Sequence, residues 1–487
     1  MYHLLQRCMM VSLILSLIIL FAGYLLYGRF TERVFAPDDR ITPANAIHDG
    51  VDCVPLKTPK ALLIQLLNIA GTGPIFGALM GAVFGPRVFL WIVFGSVLGG
   101  AVHDYMTGMI SCRNSGASIA EMTGKYLGKG AKYVMRVFSL VLLLLFGTVF
   151  VSSPAELLNM LTRDVLGETF WTIIILIYYI LATLLPIDKV IGRLYPLFGI
   201  VLILMAVCIT GGIIFGGYTV PEIWSSIGRP DDLPTWPFMF ITVACGAISG
   251  FHATQSPMVA KCITSEKDGR VVFYGAMIIE AVIALVWAAA GVSFYGTTAL
   301  LKDELAALGQ SGVVYDIASG LLGTFGGVLA IVGVVICPIS SGDTAFRAAR
   351  LTLAEWFRLP QDKIKNRLLL TVPLLCAGAI LTTVNFDIIW RYASWSNQTL
   401  AMIALWTYTV YLVRNGKGFK SLICAIPAAF MSAVCLTYIL MAQEGFRLSG
   451  EVSYPVGILF AAGSFTVYAV YLVRYMRSAR LSESRIG

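Results

Sequence analysis

Asn68-Ile-Ala-Gly-Thr-Gly-Pro-Ile-Phe-Gly77 and Ser249-Gly-Phe-His-Ala-Thr-Gln-Ser-Pro-Met258 decide how this chain folds. Each lies in the middle of an apolar stretch long enough to span a bilayer, and each gathers Gly, Thr or Ser, and a Pro. Proline lacks an N–H and glycine tolerates unusual dihedrals, so a helix running through either stretch loses backbone hydrogen bonds. In lipid that loss is tolerated only where the freed groups face protein, water or a ligand. A matched pair of interrupted helices is the sequence mark of a secondary transporter's binding site.

Composition puts the two stretches in a membrane. Of 487 residues, 58% are hydrophobic and 13% charged, with mean hydropathy +0.81. Soluble domains carry about 25% charged residues. The ten cysteines show no CxxC and no metal-type spacing, and most sit in apolar runs, where Cys behaves as a small hydrophobe. No structural disulfide, metal cluster or cofactor is expected. The first apolar run, Met9 to Tyr27, is too long for a signal peptide and lacks a small-residue cleavage site, so it reads as a retained helix.

A crossing takes roughly 20 apolar residues. Thirteen spans are expected, at 9–27, 61–84, 86–110, 132–160, 168–186, 193–217, 237–262, 270–296, 321–357, 366–385, 394–413, 419–442 and 453–475. With the N-terminus outside, 28 of the 35 Lys and Arg fall in inner segments, the largest group being Arg347, Arg350, Arg358, Lys363, Lys365 and Arg367. Outer segments hold one each: Arg7, Arg87, Arg163, Arg229, Lys302, Arg391 and Arg447. The positive-inside rule favours this orientation, with the C-terminus cytoplasmic. The net charge of +8 is then a face bias and needs no nucleic-acid partner.

Sliding the chain by 183 residues sets Ala70 on Ala253, Pro74 on Pro257, Arg87 on Arg270 and Val88 on Val271. The third helix of each unit carries a small-residue interruption, Ser152-Ser153-Pro154 and Ser340-Ser341-Gly342. One unit starts inside and the other outside. The expected fold is therefore an all-α polytopic membrane protein with a five-plus-five inverted repeat and discontinuous helices. Its divisions are a leading helix and cytoplasmic loop (1–60), a first repeat (61–217), an outer connection (218–236), a second repeat (237–413) and two C-terminal helices with a short tail (414–487). Residues 113–132 read as an interfacial helix with a capping box at Ser118-Ile-Ala-Glu121.

Gly71, Thr72, Gly73 and Pro74 form the first candidate substrate element: glycines admit close approach, and the half-helix beginning near Pro74 aims N–H groups at the midplane. The second comprises Gly250, Phe251, His252, Thr254, Gln255 and Ser256, ahead of Pro257. An intramembrane ionisable group is costly and usually functional, and an imidazole titrates near neutral pH. His252 is thus also a candidate for ion coupling, with Ser340, Ser341, Asp343 and Thr344 as oxygen donors on the long ninth span. Close packing of small residues and kink satisfaction are the plainer alternatives for these segments. His103-Asp104, near the cytoplasmic end of the third span, reads as a structural pair in preference to a proton relay. Glu156 and Glu280 lie inside spans 4 and 8, and Asn397 and Gln398 read as bridges between helices.

Several blocks carry a family resemblance: Thr42-Pro-Ala with His48-Asp-Gly-Val-Asp52-Cys-Val-Pro55, Ile69-Ala-Gly-Thr-Gly-Pro74, Gly100-Ala-Val-His-Asp104, Gly116-Ala-Ser-Ile-Ala-Glu-Met122, Ala244-Cys-Gly-Ala-Ile-Ser-Gly-Phe-His252, Tyr274-Gly-Ala-Met277 and Trp395-Ser-Asn-Gln398. In order and spacing they resemble the CstA carbon-starvation family of peptide and pyruvate transporters, of the amino-acid/polyamine/organocation superfamily. The resemblance implies a leucine-transporter type of fold in the bacterial inner membrane and proton-driven uptake of peptides or small carboxylates under nutrient limitation. Two departures stand out. Larger members carry paired histidines where this chain has Ile64-Gln65, and a Gly-Thr-Thr segment where it has Ala253-Thr-Gln-Ser-Pro257. Substrate and coupling ion are open to difference there, with Na⁺ as the other ion and an amino-acid permease as the other transporter reading. A transporter-fold nutrient sensor lacks a signalling domain, a membrane enzyme lacks a nucleophile motif, and a channel lacks a continuous polar lining.

Overall fold

The structure is a computed structural model that describes residues 10–47, 53–162, 165–184, 187–225, 234–361 and 363–483, without the side chains of 184–194, 325, 329 and 479–483. His48–Asp52 of the family blocks and the cations Arg7, Arg163, Arg229 and Arg485 lie outside it, as do the side chains of Lys189, Arg193 and Arg480. Among the described residues the only β pairing is an isolated bridge, Leu56 with Ile263. Everything else regular is helical.

The helices that position the site are α1 (Val11–Phe35), α2 (Thr58–Ala70), α3 (Ala78–Ala82), α4 (Val88–Arg113), α5 (Ile119–Leu127) and α6 (Lys129–Leu161). After α7 (Glu168–Leu184) and α8 (Ile187–Phe215) come the short α9 (Phe238–Thr242), α10 (Gly250–Ala260) and α11 (Glu266–Phe294). The remainder are α12 (Thr298–Thr324), α13 (Gly326–Phe357), α14 (Ile364–Leu381), α15 (Phe386–Arg414), α16 (Gly418–Met441) and α17 (Gly450–Glu483).

Among the described residues, ten helices are long and apolar enough to cross a membrane, or eleven with the bent pair α2–α3 taken as one span. The thirteen expected segments all contain helix, and the smaller count has physical causes. α7 is short at 17 residues. Segment 237–262 is divided into α9 and α10. In α15 the run Ser394 to Thr399 dilutes the apolar character. One of the ten, α12, falls where the sequence reads as an outer connection; Gly309 (φ 68) interrupts it, so it is two short helices joined at a kink.

The core is one large apolar cluster with two small satellites, and the most extensive helix contact is that of α6 with the α12–α13 stretch. Both helices bring small residues to it, and Gly147 lies where a side chain would strike Phe346. Two polar ties close the bundle ends. At the start of α1, Glu222 accepts from the N–H groups of Val11 and Ser12, each at 2.8 Å, and from the Ser12 hydroxyl. A carboxylate there offsets the partial positive charge of the helix N-terminus. At the other end of α4, Arg113 binds buried Glu266 through two bonds of 2.9 and 2.8 Å, donates to Ala36 O and covers the Phe35 ring at 4.0 Å. In the adjoining loop, hydrogen bonds from Arg40 hold the Asp38 carboxyl well below the usual carboxylate range.

Candidate functional site

The first interruption lies between α2 and α3. Helix α2 stops at Gly71, whose φ of +52 suits glycine, and a side chain there would strike the Phe150 ring at 2.5 Å. Gly73–Gly77 then winds as a π-turn containing Pro74, and the halves meet at 58°.

The second interruption lies upstream of where the sequence reading puts it. Residues 243–249 are non-helical, with Gly246 at φ +85, whereas Gly250–Pro257 belongs to α10. Pro257 forfeits a single bond inside that helix. The break itself is stabilised from outside. Trp91 Nε1 of α4 donates to Val243 O at 2.9 Å, and Ser96 Oγ donates to Gly246 O at 2.7 Å. On the donor side, Asn397 Oδ1 of α15 accepts the Phe251 N–H at 2.6 Å and the Ser249 hydroxyl at 3.2 Å. The freed backbone groups thus find partners on neighbouring helices, as a lipid environment demands. Gln398 also bridges, donating to Phe240 O at 3.0 Å.

The two breaks meet. A Cβ placed on Gly73 would lie 2.3 Å from Cys245 Cβ, and one on Gly246 would come 3.9 Å from Pro74 Cα. Gly71, Thr72, Gly73 and Pro74 are buried, as are Gly250, Phe251, His252, Gln255 and Ser256, while Thr254 is half-buried. Gln65 Nε2 of α2 donates to Ser256 Oγ at 2.8 Å, linking α2 to α10. Phe251 stacks edge-on against Phe146 and Phe150 at 5.3 and 5.6 Å, and Trp390 joins at 6.3 Å from Phe146. Along α6 these rings separate two cavities. One, of about 450 Å³, is lined by Ser118, Glu121, Ser139, Thr254, Lys261 and Glu355; the other, of about 200 Å³, by Ser152, Glu156, Glu168, Thr382 and Phe386.

Behind the breaks lies a group of ionisable side chains contributed by three helices. Asp104 of α4 holds His103 Nδ1 on one oxygen at 2.9 Å and His252 Nδ1 on the other at 2.8 Å. Glu280 of α11 lies 3.4 Å from His252 Nε2. All four side chains are fully buried. His103-Asp104 is therefore joined to the second break, rather than being only a local pair at a helix end. The ligand atoms of Cys245, His252 and Glu280 lie within 4.8 Å of one another. Sequence reasoning missed Glu280 and Cys245 as parts of this group.

The α13 residues divide. Ser341 Oγ donates to Leu67 O of α2 at 2.7 Å, so it does reach the first interrupted helix. Ser340 Oγ and Thr344 Oγ1 donate within their own helix, to Cys337 O at 2.8 Å and Ser341 O at 3.0 Å. Asp343 instead accepts from Tyr195 at 3.2 Å and lies 3.8 Å from Arg347.

Two interrupted helices packed break against break inside a bundle that is helical throughout its described residues give the leucine-transporter type of fold, and the family and relatives that match this chain are membrane transporters, not enzymes. The solved structures agree on the fold: an Eremococcus coleocola manganese transporter superposes with TM-score 0.54 at 12% identity, over 89% of this chain and 98% of that one. MhsT, in complex with L-phenylalanine, gives 0.52 at 17%, over 86% and 99%. The chain belongs to the carbon starvation protein CstA family, whose model matches residues 8–213, 155–301 and 296–438. An uncharacterized membrane protein of Haemophilus influenzae is 42% identical over 342 residues, 59% of this chain and 92% of the relative. The peptide transporter CstA of Bacillus subtilis is 25% identical over 525 residues, 86% and 88% of the two chains. The pyruvate/proton symporter BtsT of Escherichia coli is 27% identical over 327 residues, 50% of this chain and 43% of the symporter.

Proposed function

We propose that this transporter is a proton-coupled importer of a small nutrient, a peptide or a small carboxylate such as pyruvate, in the bacterial inner membrane with its N-terminus outside, serving cells short of carbon. The observation that carries the reading is the linkage of His252, on the second interrupted helix, to Asp104 and Glu280. Among the described residues neither carboxylate has a Lys or Arg partner. Two buried carboxylates beside neutral imidazoles would leave two uncompensated charges, which a dry site does not tolerate. The group therefore holds protons. Gly71–Pro74 and Gly250–Ser256 form the substrate site in this reading, and the names of the two transporter relatives support the substrate classes.

The test is uptake of labelled pyruvate and of a labelled dipeptide into proteoliposomes, under an imposed pH gradient or Na⁺ gradient. Accumulation driven by the pH gradient is expected, with Asp104→Asn retaining substrate exchange but losing accumulation. A second reading, Na⁺ coupling, has the Ser341–Leu67 contact in its favour, because it brings an α13 hydroxyl to an α2 carbonyl. Accumulation under the Na⁺ gradient alone would select it and overturn the first.

A further inference from the structure

We propose that Cys245, His252 and Glu280 form a site for one divalent transition-metal ion of the zinc class, bound by thiolate, imidazole and carboxylate at the meeting point of the two breaks. The inference stands on the side chains alone and does not depend on which substrate is carried.

Four observations carry it. The first is unused binding capacity. His252 Nε2 and both carboxylate oxygens of Glu280 are buried without a hydrogen-bond partner. Buried polar atoms in folded proteins nearly always have a partner; here His252 Nε2 and Glu280 Oε2 face each other at 3.4 Å without a hydrogen bond, and Glu280 Oε1 has no hydrogen-bond partner. The second is spacing. His252 Nε2 and Glu280 Oε2 lie 3.4 Å apart, and two ligands about 2.0–2.1 Å from a tetrahedral zinc ion lie about 3.3 Å apart. Cys245 lies within 4.8 Å of both, against about 3.6 Å for a sulfur and a nitrogen on one zinc ion. That residue sits in the non-helical 243–249 segment, beside Gly246, and rotation about its χ1 moves the sulfur without moving the tied backbone.

The third observation is the support behind the ligands. Asp104 Oδ2 occupies His252 Nδ1 at 2.8 Å. A carboxylate on one ring nitrogen fixes the imidazole's tautomer and orientation and leaves the other nitrogen as the ligand, the usual second contact of a metal-bound histidine. Around the sulfur, Asn397 Nδ2 lies at 4.0 Å, and Ser249 Oγ, which donates to Asn397 Oδ1, lies at 3.4 Å. The fourth is charge. A thiolate and a carboxylate together neutralise a divalent ion, and among the described residues no Lys or Arg compensates these acidic side chains in its place.

The donor set selects the ion. Mg²⁺ and Ca²⁺ take oxygen ligands, whereas sulfur with imidazole suits zinc, cobalt and their neighbours. Three protein ligands leave a tetrahedral ion one open position. Protons and metal compete for His252 and Glu280, so a bound ion would block the proton cycle.

The experiment titrates the full chain, purified in nanodiscs and stripped with chelator, with CoCl₂ and then ZnCl₂. One Co²⁺ per chain is expected, with a thiolate-to-cobalt charge-transfer band that Zn²⁺ abolishes. Cys245→Ser should remove the band, Glu280→Gln should weaken binding about tenfold or more, and Cys376→Ser, at an exposed cysteine, should leave both unchanged. The wild-type spectrum decides even if a variant misfolds: cobalt bound without a charge-transfer band, or no bound cobalt, overturns the proposal. So does a band that survives in folded Cys245→Ser. With the uptake assay run in chelator, failure of this site and failure of proton coupling remain distinguishable.

Discussion

Replacing Gly73 by Ala tests whether the two breaks meet as described. The new Cβ would lie 2.3 Å from Cys245 Cβ and 2.4 Å from its Sγ. Carbon atoms in good contact are about 3.5–4.0 Å apart, so the two segments would have to separate by roughly 1.5 Å. Neither side yields easily. Cys245 lies two residues after Val243, whose carbonyl is tied to Trp91, and precedes Gly246, whose carbonyl is tied to Ser96. Gly73 begins the π-turn that Pro74 stiffens. Overpacking of this kind costs about 1–3 kcal/mol. Gly73→Ala should therefore lower the melting temperature of the detergent-purified protein. Cys245→Gly alone should cost about 0.5–1 kcal/mol through added backbone freedom. Combined, the two should be more stable than their summed effects allow, because the second change removes the atoms that the first collides with. A coupling of about 1–2 kcal/mol in this double-mutant cycle is expected for residues in contact. Additive effects, or a Gly73→Ala protein as stable as wild type, would show that the breaks do not pack this closely.

Three further changes probe the frame around the site. Asn397→Ala strands the buried N–H of Phe251 at the start of α10, which should cost about 1–3 kcal/mol and is read as a lowered denaturation midpoint; Asn397→Asp, which keeps the acceptor, should be milder. Arg113→Met leaves Glu266 buried without its bidentate partner and should cost about 3–5 kcal/mol in the same assay, with Arg113→Met/Glu266→Met recovering most of it. Glu222→Ala uncaps α1; about 1 kcal/mol is expected, and protease accessibility of the α1 start should rise while α4 stays protected.

Much of the fold was legible because lipid leaves few choices. Apolar length marked the helices, and Gly71 and Pro74 marked the first break at the right residues. The second break was displaced because Pro257 is the louder local signal, although a helix can absorb one proline when its neighbours pack well. What opens the backbone there is Gly246, held by Ser96 of α4 while Trp91 of the same helix holds Val243, contacts between positions about 150 apart in sequence. Thr298–Thr324 read as a loop because Lys302, Asp303 and Glu304 interrupt its apolar pattern, yet its interruption in the structure is at Gly309. In the site, His252 was visible as a lone ionisable residue mid-span. Its partners were not, since Asp104 and Glu280 lie on other helices at spacings that form no motif. One signal was present. Each of these groups is too costly to bury alone, and asking which of them could share one pocket would have joined them.

Asp104 rides on α4 and His252 on α10, so their 2.8 Å contact spans two bodies rather than one. Any rocking of one against the other stretches it. Thermodynamic linkage is reciprocal: whatever free energy a proton contributes toward one arrangement of these helices, that arrangement returns as a change in proton affinity of the same size. A pH titration and a probe of the α4–α10 distance would then report a single equilibrium, seen once through chemistry and once through shape.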